Sequence, residues 1–404
     1  MMTISKVGLA ALLLSLLILQ PAFAGESYKE EGIRIGGSEF KDVKGVRVGK
    51  ATIKTGFSTQ GQYDTNVYRT PNNTTKDYIF TLMPKVLLDL PMGLDERHLL
   101  QLMYVGEGGL YSHQTKQNYM NNEGAANLNL KLPFGYFNAN DDVKDTSDRA
   151  GTEFTTLVKR FENRAATTIG VEMNKFTFEG GFSNFVERYM KTQYLDLDYY
   201  QNVYNGTVYY QLFSKTKALI DYSYGQIEYW NNRPRSGHFN QVVGGLKGDL
   251  TGKTVGIAKT GFQIRDYTSG KGYAGFIGEL GTITKFSERT DLTLKYNTTP
   301  MESTFSNDNY YIMNSLNAKL EQKLMRNFSF WVRPAISRNI YPQVNSAYDV
   351  KRRDWLVSAE TWLQYKVKDW GKVGVGYEYQ RRSSNISHES YGDNLVSTRV
   401  DLFF

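Results

Sequence analysis

Three observations predict that this 404-residue chain is all-β and that its strands close into a transmembrane, antiparallel, up-and-down barrel. The first is the composition, with 29 Tyr, 22 Phe and 37 Gly beside a low mean hydropathy of −0.47. The second is the alternation of apolar and polar residues in many short segments, which is the period of a β-strand. The third is the regular exchange of tight turns and longer polar connections between those segments.

The composition also excludes several classes of protein. Aromatic residues make up 14% of the chain, whereas disordered chains are poor in them. The absence of Cys excludes disulfide frameworks, zinc ribbons, iron–sulfur clusters and thiol nucleophiles. The formal net charge of +7 is too mild to indicate a nucleic-acid partner. We therefore expect no nucleic-acid partner, no cofactor and no metal site.

The N-terminus predicts export. Lys6 precedes an apolar run from Val7 to Leu19, and the small residues Ala22 and Ala24 form a cleavage signal. We expect residues 1–24 to be a signal peptide, residues 25–46 a short periplasmic N-terminal segment, and residues 47–404 an outer-membrane β-barrel. After the signal peptide no apolar run of about 18 residues remains that could cross an inner membrane as a helix.

The last strand shows the alternation best. Val396, Val400 and Leu402 share one face, while Arg399 and Asp401 lie on the other. A lipid-facing row opposite a wet, charged row is typical of an outer-membrane barrel, because a dry soluble core could not hold the charges. The same pattern predicts about 16–18 strands, with 18 preferred because bacterial single-chain barrels have even numbers. The predicted strands are 48–62, 75–90, 97–110, 121–132, 135–145, 164–174, 175–188, 200–212, 217–230, 237–249, 252–267, 272–286, 290–302, 309–323, 327–341, 353–367, 371–384 and 392–404.

The C-terminus carries a further signal. Phe404 ends the final strand in an aromatic residue, and this ending resembles the signal read by the barrel-insertion machinery. We therefore expect that machinery, outer-membrane lipid and lipopolysaccharide to be partners of the chain.

An enzymatic function is not indicated. The four histidines, His98, His113, His238 and His388, lie near predicted strand ends. His238 with Asp266, or His388 with Asp393 and Ser390, could be assigned catalytic roles, but no motif of a barrel protease or phospholipase surrounds them. Solvated loop histidines explain them more simply. The sequence thus predicts no catalytic residue and a protein that is not an enzyme.

Charged residues on the predicted inner faces are the candidate pore lining. Five are basic and five acidic, which is no one-sign filter. They are Lys295, Lys319, Arg333, Arg382, Arg399, Asp291, Glu321, Glu360, Glu378 and Asp401. A second group, Lys351, Arg352, Arg353 and Arg381, is expected at the external mouth. These basic residues would either attract anions to the pore or contact lipopolysaccharide phosphates at the outer rim.

Several short strings together resemble one family. They include Asp64-Thr65-Asn66-Val67, Arg160 to Arg164, and Leu250-Thr251-Gly252-Lys253, which leads into Gly261 to Tyr267. Arg353-Asp354 and Arg382-Ser383-Ser384-Asn385 follow near the end. Their order over residues 47–404 is similar to that of the putative β-barrel porin 2 family, whose members are often encoded in exopolysaccharide or capsule gene clusters. The resemblance implies an outer-membrane barrel and no established catalytic residues.

Two functions follow as hypotheses. One is a pore or accessory protein in the export of exopolysaccharide or capsular polysaccharide, with the polysaccharide and periplasmic export components as partners. The alternative is a general or substrate-selective diffusion porin unrelated to polysaccharide secretion. A long inward loop is typical of diffusion porins, and the longest connection here, residues 145–163, looks modest. A plugged structural barrel or adhesin is a third possibility.

Overall fold

The computed structural model describes residues 40, 43–93, 97–305, 308–345 and 348–404. Within them a short strand, β1 (Val46–Val48), precedes eighteen long antiparallel strands. The predicted signal peptide, residues 1–24, and nearly all of the predicted segment 25–46 lie outside the described residues.

The eighteen long strands have the following bounds. They are β2 (Ala51–Asp64), β3 (Asp77–Met92), β4 (His98–Tyr111), β5 (Tyr119–Leu132), β6 (Gly135–Thr146), β7 (Arg160–Met173), β8 (Phe176–Tyr189), β9 (Tyr199–Phe213), β10 (Thr216–Tyr229), β11 (Gly237–Asp249), β12 (Thr254–Tyr267), β13 (Tyr273–Ser287), β14 (Thr290–Glu302), β15 (Tyr310–Lys323), β16 (Phe328–Asn345), β17 (Val350–Lys368), β18 (Gly371–Ser384) and β19 (Tyr391–Phe403). Four short 3₁₀ turns, Thr115–Gln117, Thr192–Leu197, Arg233–Arg235 and Ser387–Glu389, lie in the loops.

Each long strand pairs with its neighbours in sequence, and the sheet closes on itself. The closing ladder joins β19 to β2 and runs from Leu395 opposite Asp64 to Phe403 opposite Gly56. Closure leaves no sheet edge without hydrogen-bond partners, as a lipid environment requires. The predicted up-and-down barrel with 18 strands is confirmed.

Connections at the two ends of the barrel differ in length. At one end they contain two to five residues, and at the other four to thirteen. The two-residue turn between β7 and β8 shows why tight turns are possible, because Asn174 adopts a positive φ of 50°. Asn tolerates this conformation, which is common in two-residue hairpins. We assign the short turns to the periplasmic end and the long loops to the external end.

The two faces of the wall differ as the alternation predicts. Large apolar side chains cover the outer face, where Phe276 is 75% exposed and Ile220 66% exposed. The inner face carries polar and charged residues, including Ser58, Arg399 and Asp401 in one hydrogen-bonded group. Among the described residues, no helix is both long and apolar enough to cross a bilayer.

A residue before β1 packs inside the periplasmic end of the barrel. Phe40 is buried and contacts Phe403 edge-to-face, with ring centroids 5.6 Å apart. Leu87 and Ala125 complete this apolar cluster. The C-terminal strand thus contributes Phe403 to the interior and Phe404, which is 61% exposed, to the outside.

The assigned orientation is testable because the chain contains no Cys. Ser387→Cys lies in an exposed external loop, and Asp369→Cys lies in an exposed short turn. On intact cells we expect a membrane-impermeant maleimide to label Ser387→Cys and not Asp369→Cys, with both labelled after lysis. Labelling of Asp369→Cys on intact cells would show the opposite orientation.

Candidate functional site

The longest loop, residues 147–159 between β6 and β7, folds into the lumen, and we call it the constriction loop. Val158 is fully buried, and Ala150, Thr152 and Glu153 are each less than a tenth exposed. A loop on the outer surface would leave such residues in water. The interior of the barrel therefore contains this segment at its external end.

Hydrogen bonds anchor the tip of the constriction loop to the far wall. Arg382 on β18 donates from Nη1 to the carbonyl oxygens of Thr152 and Glu153, at 3.0 and 3.2 Å. Asn339 on β16 donates to the Thr152 hydroxyl at 2.8 Å. Tyr311 on β15 contacts the same hydroxyl at 3.2 Å. Three strands thus hold the tip.

The Glu153 carboxylate provides a further anchor. It accepts hydrogen bonds from the Ser303 hydroxyl at 2.8 Å and from the Thr304 backbone N–H at 2.6 Å. Ser303 and Thr304 belong to the loop between β14 and β15. Because charge-assisted hydrogen bonds are the stronger kind, this contact fixes the loop tip firmly.

The base of the constriction loop is held near its own strands. The backbone N–H of Val158 donates to the Asp148 carbonyl at 3.1 Å, so the two ends of the loop lie side by side. Arg160 at the start of β7 bonds Asp148 at 3.0 Å and Glu162 at 2.6 Å. Arg149 donates to the Val67 carbonyl at 2.6 Å, which ties the loop to the one between β2 and β3.

These anchors show that the loop crosses the lumen. β7 and β16 are nine positions apart in a ring of eighteen strands, so they lie on opposite sides. The modest polar connection expected at residues 145–163 is thus an inward loop, contrary to that expectation. The sequence of the loop contains apolar residues that indicate burial, because loops exposed to water are mostly polar. They are Ala150, Phe154, Leu157 and Val158.

Buried ion pairs surround the constriction loop. Arg352 bonds Asp354 at 2.7 Å and Glu389 at 3.1 Å and lies over the Phe305 ring. Arg265 bonds Glu302 at 2.5 Å. Buried charges are tolerated only when paired in this way, so the wall is tightly packed at these two places beside the loop.

The predicted pore-lining residues all lie on the inward face by ladder register. Arg382 belongs to the packed zone and has only 1% side-chain exposure, whereas Glu321 is 52% exposed nearer the periplasmic end. Three neighbouring pairs form between the others: Lys319 with Glu321, Arg333 with Glu360, and Arg399 with Asp401. Asp291, Lys295 and Glu378 share the same face. The lumen is therefore wet below the loop and tightly packed beside it.

Three of the four expected mouth residues lie elsewhere. Lys351, Arg353 and Arg381 are exposed on the outer face of the wall, and Arg352 alone faces inward, where acids neutralise it. Successive residues of a strand point to opposite faces, so a run of adjacent basic residues cannot line one opening. The expected positive ring at the pore mouth is not formed.

Aromatic side chains line part of the wet zone. Trp331 and Trp362 stack with ring centroids 6.4 Å apart. A Cβ on Gly376 would lie 2.5 Å from the Trp362 ring, so Gly is required there for the indole to lie flat on the wall. Arg333 and Lys319 lie over the Trp331 ring at 5.5 and 5.1 Å. The aromatic surface that results is chiefly the Trp331 ring with its two neighbouring cations, because Trp362 is only 8% exposed.

A cavity of about 50 Å³ lies between the constriction loop and the wall formed by β7–β10, β14 and β15. Glu153, Glu162, Glu187 and Glu302 line it together with Arg164. That volume holds a few water molecules and excludes a sugar or an amino acid. A larger solute can occupy this cavity only if the loop shifts.

Acid is expected to tighten the packing beside the constriction loop. Asp308 is one residue from β15 and accepts the Gln343 N–H at 3.0 Å; burial raises its pKa from 3.8 to about 6. Glu153 reinforces the increase, while Arg235 and Arg352 oppose it. Burial also raises the pKa of Glu153. Because the folded-state pKa of Asp308 is raised, its stabilising contribution is complete below about pH 4 and is lost as the pH rises through 6.

We therefore expect single-channel conductance to fall as the pH is lowered from 7 to 4, because the loop is held more firmly. Planar-bilayer recordings at each pH measure this effect. Asp308→Asn should remove much of the change, since an amide does not titrate. If the conductance of the wild type rises on acidification, the expected direction of the pH effect is wrong.

A closed barrel with an apolar outer belt, a charged interior and an inward loop defines an outer-membrane protein of the porin class. The chain belongs to the Putative beta-barrel porin 2 family, whose model matches residues 41–404. The family resemblance inferred from the short strings is thereby confirmed, and membership indicates an outer-membrane β-barrel.

The chain is similar to solved structures of proteins from three bacteria. OpdK from Pseudomonas aeruginosa is 12% identical, with a TM-score of 0.48 and coverage of 87% of this chain and 99% of OpdK. OccAB3 from Acinetobacter baumannii is 14% identical, with a TM-score of 0.43 and the same coverages. A BenF-like porin from Pseudomonas fluorescens Pf-5 is 10% identical, with a TM-score of 0.46 and again the same coverages. No curated protein matches the chain.

The histidines do not form a site in the part of the chain that the structure describes. His113 contacts the Asp77 carboxylate at 3.1 Å, and His388 lies near Glu389 at 3.5 Å, both at the external rim. Among the described residues, no group of three metal-ligating side chains lies close enough together to hold a metal ion.

Proposed function

We propose that the protein is a diffusion channel for small polar or charged solutes, with passage limited by the constriction loop. The observation that carries this proposal is the loop crossing from β7 to the wall of β15, β16 and β18. A barrel of eighteen strands is wide enough for an aqueous channel, so the loop and not the wall sets the size limit.

Weak charge selectivity is part of the proposal. The ten candidate lining residues carry five positive and five negative charges, and several are paired with each other. Paired charges leave little net field across a lumen. The wet zone below the loop then acts as a polar passage for solutes of either sign.

Liposome swelling tests this function. Vesicles containing the purified protein should swell in amino acids and monosaccharides and resist swelling in larger oligosaccharides. Bilayer reversal potentials in a KCl gradient should show only a small preference for either ion. Equal swelling rates for large and small sugars would contradict a size limit set by the loop.

A second candidate function is the export of exopolysaccharide or capsular polysaccharide. It is suggested by the gene clusters for these polysaccharides in which members of the family are often encoded. The aromatic surface, which is chiefly the Trp331 ring beside Lys319 and Arg333, is the feature that favours export, because sugar rings stack on indoles. An extended polymer would need the constriction loop to leave the lumen, so this function requires a partner that displaces it.

Deletion of the gene separates the two functions. Loss of surface polysaccharide in the deletion strain, restored by the wild-type gene, would support export. Restoration should then fail with Trp331→Ala/Trp362→Ala if the aromatic surface guides the polymer. Unchanged surface polysaccharide together with reduced uptake of small solutes would leave the diffusion channel as the function.

A further inference from the structure

We infer that a basic patch on the outside of the barrel binds the phosphate groups of an outer-leaflet glycolipid. The outer basic patch consists of Arg338 on β16, Lys351 and Arg353 on β17, and Arg381 on β18. All four side chains point away from the lumen, because their strand neighbours Asn339, Arg352 and Arg382 are buried on the inner side. The patch is independent of the solute pathway.

The four cations have no counter-charge on this face. On the outward faces of β15–β19 in the external half, the described residues include no Asp or Glu. None of the four side chains forms an ion pair or a hydrogen bond within the described residues, and Arg338 Nε is buried without a partner. Unpaired cations placed together attract anions, and the attraction is stronger beside a low-dielectric membrane than in bulk water.

One member of the patch lies against an aromatic ring. The Arg338 guanidinium lies 5.3 Å from the ring centroid of Trp355, and Trp355 is itself 46% exposed. Strand spacing puts neighbouring members roughly 7–13 Å apart. That separation suits a headgroup with more than one phosphate better than a single small anion, because several members can contact different phosphates at once.

The position of the outer basic patch along the membrane normal indicates that its ligand is a lipid. Directly below the patch, Ile336 and Val357 are each 40% exposed on the outer face, and Tyr377 is 43% exposed. These residues belong to the apolar belt that faces acyl chains. A molecule spanning both regions has acyl chains beside the belt and phosphates beside the cations, which is the chemistry of a phosphorylated glycolipid.

The chain offers a matched control. Arg188 on β8 also faces outward and lies over an exposed Trp230, at 5.4 Å. Arg188 differs from Arg338 because the carboxylate of Asp198 lies near it and partly neutralises its positive charge. We expect Arg188 to contribute little to phosphate binding, although its local geometry resembles that of Arg338.

Native mass spectrometry of the purified full-length barrel tests the proposal. The probes are diphosphoryl lipid A, its monophosphoryl form and a form without phosphate. For Arg338→Gln/Arg353→Gln/Arg381→Gln we expect the concentration of diphosphoryl lipid at half-saturation to rise about tenfold or more. Arg188→Gln should bind as the wild type does, and added salt should weaken wild-type binding.

Three results would overturn the proposal: equal binding of the lipid without phosphate, wild-type affinity in the triple variant, or displacement of the lipid by inorganic phosphate at equal concentration. Heat-modifiable electrophoresis checks that each variant is folded. If the triple variant does not fold, Arg381→Gln alone replaces it, since that side chain is exposed and makes no contact to lose. Its expected effect is roughly threefold, and wild-type affinity in it would count against the proposal.

Discussion

Removing the tip of the constriction loop is expected to raise single-channel conductance several-fold. Residues 149–157 would be replaced by Gly-Ser-Gly, with Asp148 and Val158 retained. The hydrogen bond from Val158 N–H to the Asp148 carbonyl, at 3.1 Å, shows that the flanking residues are already adjacent. A short linker can therefore close the gap without disturbing β6 or β7. The narrowest segment of a pore dominates its resistance, so widening it should have a large effect.

Two further variants define the cause of that effect. Deleting the exposed turn Thr115–Gln117, which buries no residue, shortens an external loop without touching the lumen and should leave conductance unchanged. Arg382→Gln removes the donors to Thr152 and Glu153 and should give more frequent openings of intermediate size. If the loop-shortened barrel inserts normally and conducts as the wild type does, the loop does not limit passage.

Deleting Leu402–Phe404 is expected to reduce the outer-membrane level of the protein by roughly tenfold, with degradation in the periplasm. The deletion removes both backbone hydrogen bonds between Phe404 and Thr55, at 3.0 and 2.8 Å, from the pair of strands that closes the barrel. It also removes Phe403 from the cluster with Phe40 and Leu87. Immunoblots of fractionated membranes measure the level.

Single substitutions separate recognition from stability. Phe404→Ala keeps the ladder and the interior cluster and loses only an outward ring, so low levels of this variant would identify a signal for the insertion machinery. Phe403→Ala empties an interior site, at a cost of about 3 kcal/mol or more, and should insert but unfold at a lower temperature. A normal heat-modifiable band from Phe404→Ala would contradict the terminal signal.

Strand prediction succeeded because the period-two pattern is local to each strand. The predicted ranges 237–249, 290–302 and 371–384 match the observed strands residue for residue. β7 begins four residues before its predicted start at 164, because Arg160 and Glu162 look like loop residues in the sequence. In the structure those two charges bond each other on the inner face, which satisfies them within the wall.

The sequence by itself determined the class of fold, the family, the preferred number of 18 strands and the inward face of the ten candidate lining residues, but it misplaced Lys351, Arg353 and Arg381. Only the tertiary structure decided the path of residues 147–159, because contacts between distant parts of the chain hold them. Arg382 is 230 residues from Thr152, Asn339 is 187 residues away, and Glu153 is 150 residues from Ser303. A strand's alternation can be recognised within about ten residues, whereas the position of a loop inside a barrel depends on which side chains the closed wall brings to face it.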